Sequence, residues 1–408
     1  MGKRILIIKQ LWNPEPTAKS LDFAQALVQE GFEVEVLTGF PNYPIGRIYE
    51  GYRQNIWTVE YLGGIRTVRV PIYPQHSSKA FIRMLGYLSF GISSSLLGPF
   101  LCKKPDLIFA YQGSITIGMP ALTFKFFRKV PFVYDINDLW PETVAASGML
   151  NNSYILKFIK AWSRINLSNA SLVTVATKGF KDSLIYDGFN SDKIKVISNW
   201  SRDEFMQDKL PENTRNEFFK KDCFNILYAG NLGIVQSLYS ILDAMKYFQD
   251  NSSNINLILL GDGAEKEGLI NYVEKENLAN VRFLPRVTST EVSKFLNSAD
   301  ALLVHLKKTP LFEITIPSKI LSYLRTSKPI LCGLSGNAAE LVLEANAGEC
   351  FEPENPLRFC EAVYLMLSKL EEGRGSSYSG GLEYYNRNLG IETATATFAE
   401  IFDKIIDE

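Results

Sequence analysis

The stretch from Ala301 to Leu331 constrains the fold of this chain more than any other. Ala301-Leu302-Leu303-Val304-His305 is short and aliphatic, as suits a buried strand. Ile316-Pro317 then breaks the backbone, since proline has no N–H for a ladder, and Ser318-Lys319 opens a helical pattern with Ile320, Leu321 and Leu324 on one side. The pattern stops before Lys328-Pro329, and Ile330-Leu331 begins the next apolar run. A helix start carrying serine and lysine directly after a strand offers an anion site. Backbone N–H groups and the helix dipole favour phosphate there, and Lys319 adds a full charge. The plainer alternative is an ordinary helix start with a solvated lysine.

The same strand–helix alternation runs through both halves. Ile5–Ile8 reads as a first strand, Trp12–Ser20 as a turn-rich loop, and Leu21, Phe23, Ala24, Ala26 and Leu27 as the buried side of a helix closed by Gly31. Val34–Thr38 is then the second strand of a βαβ unit with a parallel sheet. Further strands are expected at Asp106–Ala110, Pro131–Tyr134, Ala170–Thr177 and Lys193–Ile197. A polar stretch of residues 201–222 reads as a linker, and Phe224–Ala229 restarts the pattern. Ile255–Leu260 and Val281–Arg286 follow, and an amphipathic helix over Thr393–Ile406 ends the chain. With 408 residues, two domains are the expectation: 1–200, then a linker at 201–222, then 223–385, with a helix at 386–408 packing back on the first domain.

A formal charge of −1 argues against general nucleic-acid binding. Five scattered cysteines without a C-x-x-C spacing fit reduced thiols in a cytoplasmic protein. Only two histidines, His76 and His305, occur, which speaks against a histidine-built metal site. The apolar run after Met1 is too short for a signal-peptide core. No G-x-G-x-x-G occurs in the first loop, so dinucleotide binding has no support.

Met84–Leu101 carries no charge over a length close to the lower limit for a membrane span. Its serines, glycines and proline lower its hydrophobicity, and a buried or surface-lying helix is the expected form. Lys79, Arg83, Lys103 and Lys104 flank it, and Phe124–Lys129 alternates aromatic and basic residues, as a contact with anionic lipid would. The strand ending at Tyr134 runs into Asp135-Ile136-Asn137-Asp138-Leu139-Trp140-Pro141-Glu142. Open α/β sheets place ligands at such strand ends, and tryptophan beside carboxylates resembles a sugar-stacking platform with Asp138 or Glu142 as base or charge stabiliser. Turn and helix-cap chemistry is the alternative.

Together these segments resemble the bacterial family-4 glycosyltransferases of O-antigen, capsule and exopolysaccharide assembly, L-fucosamine transferases among them. The resemblance spans nearly the whole chain. It rests on Asn13-Pro14-Glu15-Pro16, Pro41-Asn42-Tyr43-Pro44, Asp135 to Glu142, Asn199-Trp200, Tyr228 to Gly233, Gly261-Asp262-Gly263-Ala264 and Pro317-Ser318-Lys319. It implies an α/β, GT-B architecture of two Rossmann-like domains facing a cleft. The implied activity is retaining, metal-independent transfer of a sugar, of N-acetylated hexosamine type, from a UDP-sugar to a lipid-linked (polyprenyl diphosphate) glycan. The UDP-sugar would be a co-substrate, with no cofactor, and the protein would lie at the inner face of the cytoplasmic membrane. By the resemblance Gly230, Asn231, Gly233, Arg286, Glu313, Pro317, Ser318, Lys319 and Ser322 would hold the donor. Asn13, Lys19, Tyr43 and Trp140 would meet the acceptor, and Asp138, Asp135 and Glu142 would do the chemistry.

Three departures from the family pattern stand out. Many members carry E-x7-E, where this chain has Ser322 at the second place and Glu313 one residue before the first. Asn231 and Gln236 replace the usual Arg and Lys, and Asn137 a usual His. They motivate a rival reading as an inactive nucleotide-binding protein. A non-hydrolysing UDP-sugar 2-epimerase is the enzyme rival, disfavoured by the scarcity of histidine.

Overall fold

The structure is a computed structural model that describes residues 2–75, 80–143, 152–201, 208–373 and 378–408. His76, Lys79 and the linker residues 202–207 lie outside the described residues. The chain forms two compact units, residues 1–198 with 391–408, and residues 199–390.

The first unit holds, among the described residues, an eight-stranded sheet: β1 (Arg4–Ile8), β2 (Glu33–Gly39), β3 (Thr58–Leu62), β4 (Ile65–Val70), β5 (Leu107–Gln112), β6 (Phe132–Ile136), β7 (Leu172–Val175) and β8 (Ile194–Val196). Their spatial order is β3-β4-β2-β1-β5-β6-β7-β8. All neighbours are parallel except β3 and β4, an antiparallel hairpin at the edge that the apolar pattern did not announce. Its strand β3 alternates half-buried and exposed residues, so it lacks the continuous apolar run of the central strands. Order reverses at β1, whose neighbours are β2 and β5. The last helix, Ile391–Asp407, belongs to this unit. Phe398 meets Phe23 at 5.3 Å and Phe109 at 5.2 Å. Burying one such ring is worth roughly 1.5–3 kcal/mol.

The second unit has β9 (Phe224–Asn231), β10 (Ile255–Asp262), β11 (Val281–Leu284), β12 (Ala301–His305), β13 (Ile330–Gly333) and β14 (Gly348–Cys350), all parallel, in the order β11-β10-β9-β12-β13-β14. Here the switch lies between β9 and β12. Part of the stretch read as linker is ordered in this unit. Glu212–Phe218 is helical, with Arg215 3.6 Å from Asp300 and Phe218 5.4 Å from Phe295.

The apolar segment around residues 84–101 is one helix, Ala80–Leu101. By length and composition Phe81–Leu101 is apolar enough to cross a membrane. Its inner side, however, is spent on the unit's own core. Phe90 and Ser94 are fully buried, and a Cβ on Gly98 would lie 2.6 Å from Leu37.

Candidate functional site

In open α/β sheets the loops after the strands at the reversal of order form the natural crevice. In the second unit these follow β9 and β12. β9 and β10 end in register, Gly261 beside Gly230 and Asp262 beside Asn231. Gly230 has φ +139° and Gly261 φ +150°, where L side chains are strained, and a Cβ on Gly261 would lie 1.9 Å from the Gly230 carbonyl oxygen. The turn that follows is tied by one side chain. Gln236 Oε1 accepts from the Gly233 N–H and from Asn231 Nδ2, both at 3.1 Å.

Lys319 reaches this turn from the helix Ser318–Leu324. Its ammonium lies 3.6 Å from the centroid of the Tyr228 ring and donates to the Tyr228 hydroxyl, which donates in turn to the Asn231 carbonyl at 2.7 Å. A Cβ on Gly230 would stand 2.5 Å from Lys319 Cε, so only glycine lets the lysine lie there. Lys319 is half-buried as a side chain, while protein surrounds its ammonium, and that burial lowers its pKa to about 7. Among the described residues no carboxylate pairs with it. The helix has only seven residues, so the lysine rather than the helix dipole is the main positive element.

A cavity of about 350 Å³ adjoins the turn, lined by Gly230, Asn231, Gly261, Asp262 and Arg286 among others. Arg286 is exposed at its rim. Ser318 is exposed and Pro317 sits at the N-cap of the helix. Glu313 and Ser322 do not join this cavity. Glu313 is exposed beside a smaller recess with Lys307 and Lys308, and Ser322 shares a 3.1 Å hydrogen bond with Ser201.

His305, at the end of β12, braces the turn from behind. Its Nε2 accepts from the Glu354 N–H at 3.0 Å, so Nδ1 carries the proton and donates to the Gln236 carbonyl at 2.7 Å. Burial lowers its pKa and keeps it neutral. Tyr228 and His305 are the residues that reading the sequence missed as parts of this site. The end of β12, a switch-point strand, was the available signal for His305, while Tyr228 lies inside β9 and offered none.

In the first unit two of the expected site residues are spent on each other. Lys19 and Asp135 form an ion pair at 2.6 Å, with both side chains almost wholly buried. Asp135 also accepts from Thr174 Oγ1 at 2.6 Å and Asn137 Nδ2 at 3.1 Å. These contacts correct the expectations for both: neither side chain is open to a ligand, and Asp135 is a scaffold carboxylate. Asn13 is likewise committed, its Oδ1 accepting the Leu21 N–H at 3.0 Å at the start of the next helix. Glu15 is a buried strap, one oxygen accepting from the N–H groups of Asn42 and Tyr43, both at 2.8 Å, the other from the Trp12 N–H at 3.0 Å. Burial raises its pKa against the pull of those bonds.

Tyr43 lines a second cavity of about 350 Å³ with Lys9, Asn42, Arg83, Tyr87 and Tyr111. Trp140 stands edge-on to Tyr87 at 6.3 Å and, with Asp138 and Glu142, lines a recess of about 20 Å³, far too small for a sugar. Asp138 is exposed on one side, and the protein packed around it raises its pKa. Glu142 is exposed. Among the described residues no group of three or more His, Cys, Asp or Glu is assembled to hold a metal ion.

Two Rossmann-like units with mostly parallel sheets define the GT-B class, and solved structures of that class match along the chain. Anabaena HepE, in complex with UDP and glucose, superposes with a TM-score of 0.68 over 98% of this chain and 99% of its own at 15% identity. WaaG, a glycosyltransferase involved in lipopolysaccharide biosynthesis, gives 0.63 over 98% and 99% at 14% identity. The family model "Glycosyl transferase 4-like domain" matches residues 17–200 and "Glycosyl transferases group 1" residues 211–374. The chain belongs to the group 1, 4-like glycosyltransferases. Escherichia coli (strain K12) has a relative, named "Putative colanic acid biosynthesis glycosyl transferase WcaI", 24% identical over 79% of this chain and 81% of that one.

Proposed function

We propose that this glycosyltransferase moves a sugar from a UDP-sugar donor, of N-acetylated hexosamine type, to a lipid-linked glycan in surface polysaccharide biosynthesis. The observation that carries the donor half is Lys319, a lysine ammonium held against a glycine turn with, among the described residues, no carboxylate to neutralise it. A diphosphate supplies the missing negative charge, and the glycines let its oxygens approach the backbone. As the sugar departs, charge grows on the leaving nucleoside diphosphate, and a cation already in place stabilises that charge without reorganising. Arg286 at the cavity rim is suited to the nucleotide base. The second unit is therefore read as the donor domain and the first as the acceptor domain, with Asp138 and its neighbours at the reacting face. HepE with bound UDP and WcaI with its colanic acid context support this reading. Transfer is read as retaining and as independent of metal.

The acceptor half rests on the helix Ala80–Leu101. Phe81, Leu85, Leu88, Ile92, Leu96 and Phe100 recur every three or four residues and stand exposed, Phe100 by 88%. Arg128 donates to the Pro99 carbonyl, which brings exposed Phe126 and Phe127 to the same end, near exposed Lys103, Lys104 and Lys129. An apolar stripe with a basic margin fits a protein lying on the inner face of the cytoplasmic membrane, where a polyprenyl diphosphate glycan presents itself.

The test is a transfer assay with UDP-N-acetylhexosamines and a polyprenyl diphosphate-linked glycan in anionic vesicles, run with and without chelator. Glycan extension with the donor's anomeric configuration kept, unchanged by chelator, is expected. Inversion, or transfer to lipid-free glycan alone with no vesicle binding, contradicts the corresponding half. UDP binding with neither transfer nor donor hydrolysis favours the inactive nucleotide-binding protein.

A further inference from the structure

Tyr228 precedes Gly230 by two positions on β9 and is fully buried, and Lys319 lies across its ring. The tyrosine hydroxyl stands in the middle of a relay, accepting from the lysine and donating to the Asn231 carbonyl at 2.7 Å. Among the described residues the titratable group in contact with the ammonium is Tyr228 from β9, and Tyr323, from the lysine's own helix, lies behind it with its hydroxyl accepting the Ala229 N–H at 3.3 Å. Asp262 and Arg286 line the adjoining cavity. Burial is the cause of the lowered lysine pKa, and it holds both phenols well above their usual range. Both rings are therefore neutral, and what faces the lysine is a π-face and a hydroxyl oxygen. These hold a cation without cancelling its charge.

Resting on the donor-site reading above, we propose that Tyr228 is the positioning residue that seats the Lys319 ammonium against the Gly230 turn, and that a nucleoside diphosphate arriving there draws a proton onto this lysine. The proton comes from solvent, converting the amine to an ammonium, and no covalent bond to the ligand forms or breaks. An anion beside the nitrogen favours its charged form, so binding takes up protons above about pH 7. Affinity therefore falls as pH rises, by up to about tenfold per pH unit while the free amine is neutral and the complexed one charged.

The experiment is calorimetric titration of the full chain with UDP from pH 7 to 9.5, in paired buffers of different ionisation enthalpy. Wild-type protein is expected to take up protons and to lose affinity across this range. Tyr228→Phe keeps the ring and removes the acceptor oxygen. It is expected to weaken UDP by roughly tenfold to a hundredfold at pH 7, an order taken from the loss of one hydrogen bond to a charged group. Its pH dependence shifts to lower pH, because an ammonium that has lost its acceptor releases its proton sooner. Lys319→Arg, charged throughout, must give an affinity flat with pH. Wild-type binding without proton uptake, an unchanged profile in Tyr228→Phe, or a retained slope in Lys319→Arg each overturns the proposal. No UDP binding by the wild type at any pH overturns the donor-site reading itself, and the inference falls with it.

Discussion

Lys19 and Lys319 are both lysines removed from bulk water, and the protein treats them in opposite ways. Lys19 meets Asp135 at 2.6 Å, and Asp135 is completed by Thr174 and Asn137. Lys319 meets a tyrosine ring and hydroxyl, and among the described residues no carboxylate answers it. A buried charge with every partner present is architecture, since removing either member leaves the other stranded. A charge whose counter-ion the fold withholds is a place kept for one, and such perturbed groups gather at functional sites. On this comparison Lys19 reads as scaffold and Lys319 as the donor-site cation proposed above.

The comparison breaks most severely at Asp135. Asp135→Ala strands Lys19 in the core and is expected to cost about 3–5 kcal/mol in urea unfolding. A loss below about 1 kcal/mol would mean that the pair is not structural. Next comes Gly230→Ala, which places a Cβ 2.5 Å from Lys319 Cε at a φ of +139°. A stability loss of about 1–3 kcal/mol is expected, together with at least tenfold weaker UDP binding by calorimetry. Unaltered binding would detach the lysine's position from the site. Lys319→Met sharpens the contrast, because it removes a charge that the fold does not neutralise. Its melting temperature at pH 7 should hold or rise, unlike that of Asp135→Ala, and a marked drop would show Lys319 to be a scaffold residue as well.

The same lysine also sets a pH dependence of stability. The folded state releases the Lys319 proton near pH 7 and the unfolded state near 10.5, so the unfolded state carries more protons between those values. Wild-type stability should therefore rise with pH through that window relative to Lys319→Met. Parallel curves for the two proteins would contradict the burial of the ammonium.

Much of this was legible in the chain. The alternation of short apolar runs with helices pointed to two parallel sheets, because strands covered on both faces read as continuous apolar segments. The edge hairpin of β3 and β4 lacked that signature. Gly230, Asn231, Arg286 and Lys319 stood out as glycine-turn, polar and cationic residues near strand ends, and the structure gathers them at one cavity or its turn. Lys19 and Asp135 looked alike in sequence to residues facing a ligand, since nothing local says that they face each other across 116 positions. Tyr228 gave no signal for the same reason: its partner lies 91 residues away, and within its own strand it reads as one more apolar position. Ser322, expected at the donor from the resemblance, turns toward Ser201, a contact no spacing rule contains.

The most direct test of the donor site is a thermal-shift titration of wild type and Lys319→Ala against UDP, GDP, ADP and CMP. A ligand that binds only the folded state raises its melting temperature by mass action. UDP should stabilise the wild type, by about 2.7 kcal/mol at a hundred times its Kd, and should lose that effect in Lys319→Ala. Stabilisation by no nucleotide, or by UDP equally in both proteins, would contradict the assignment of the Gly230–Lys319 turn as the place where the donor's diphosphate binds.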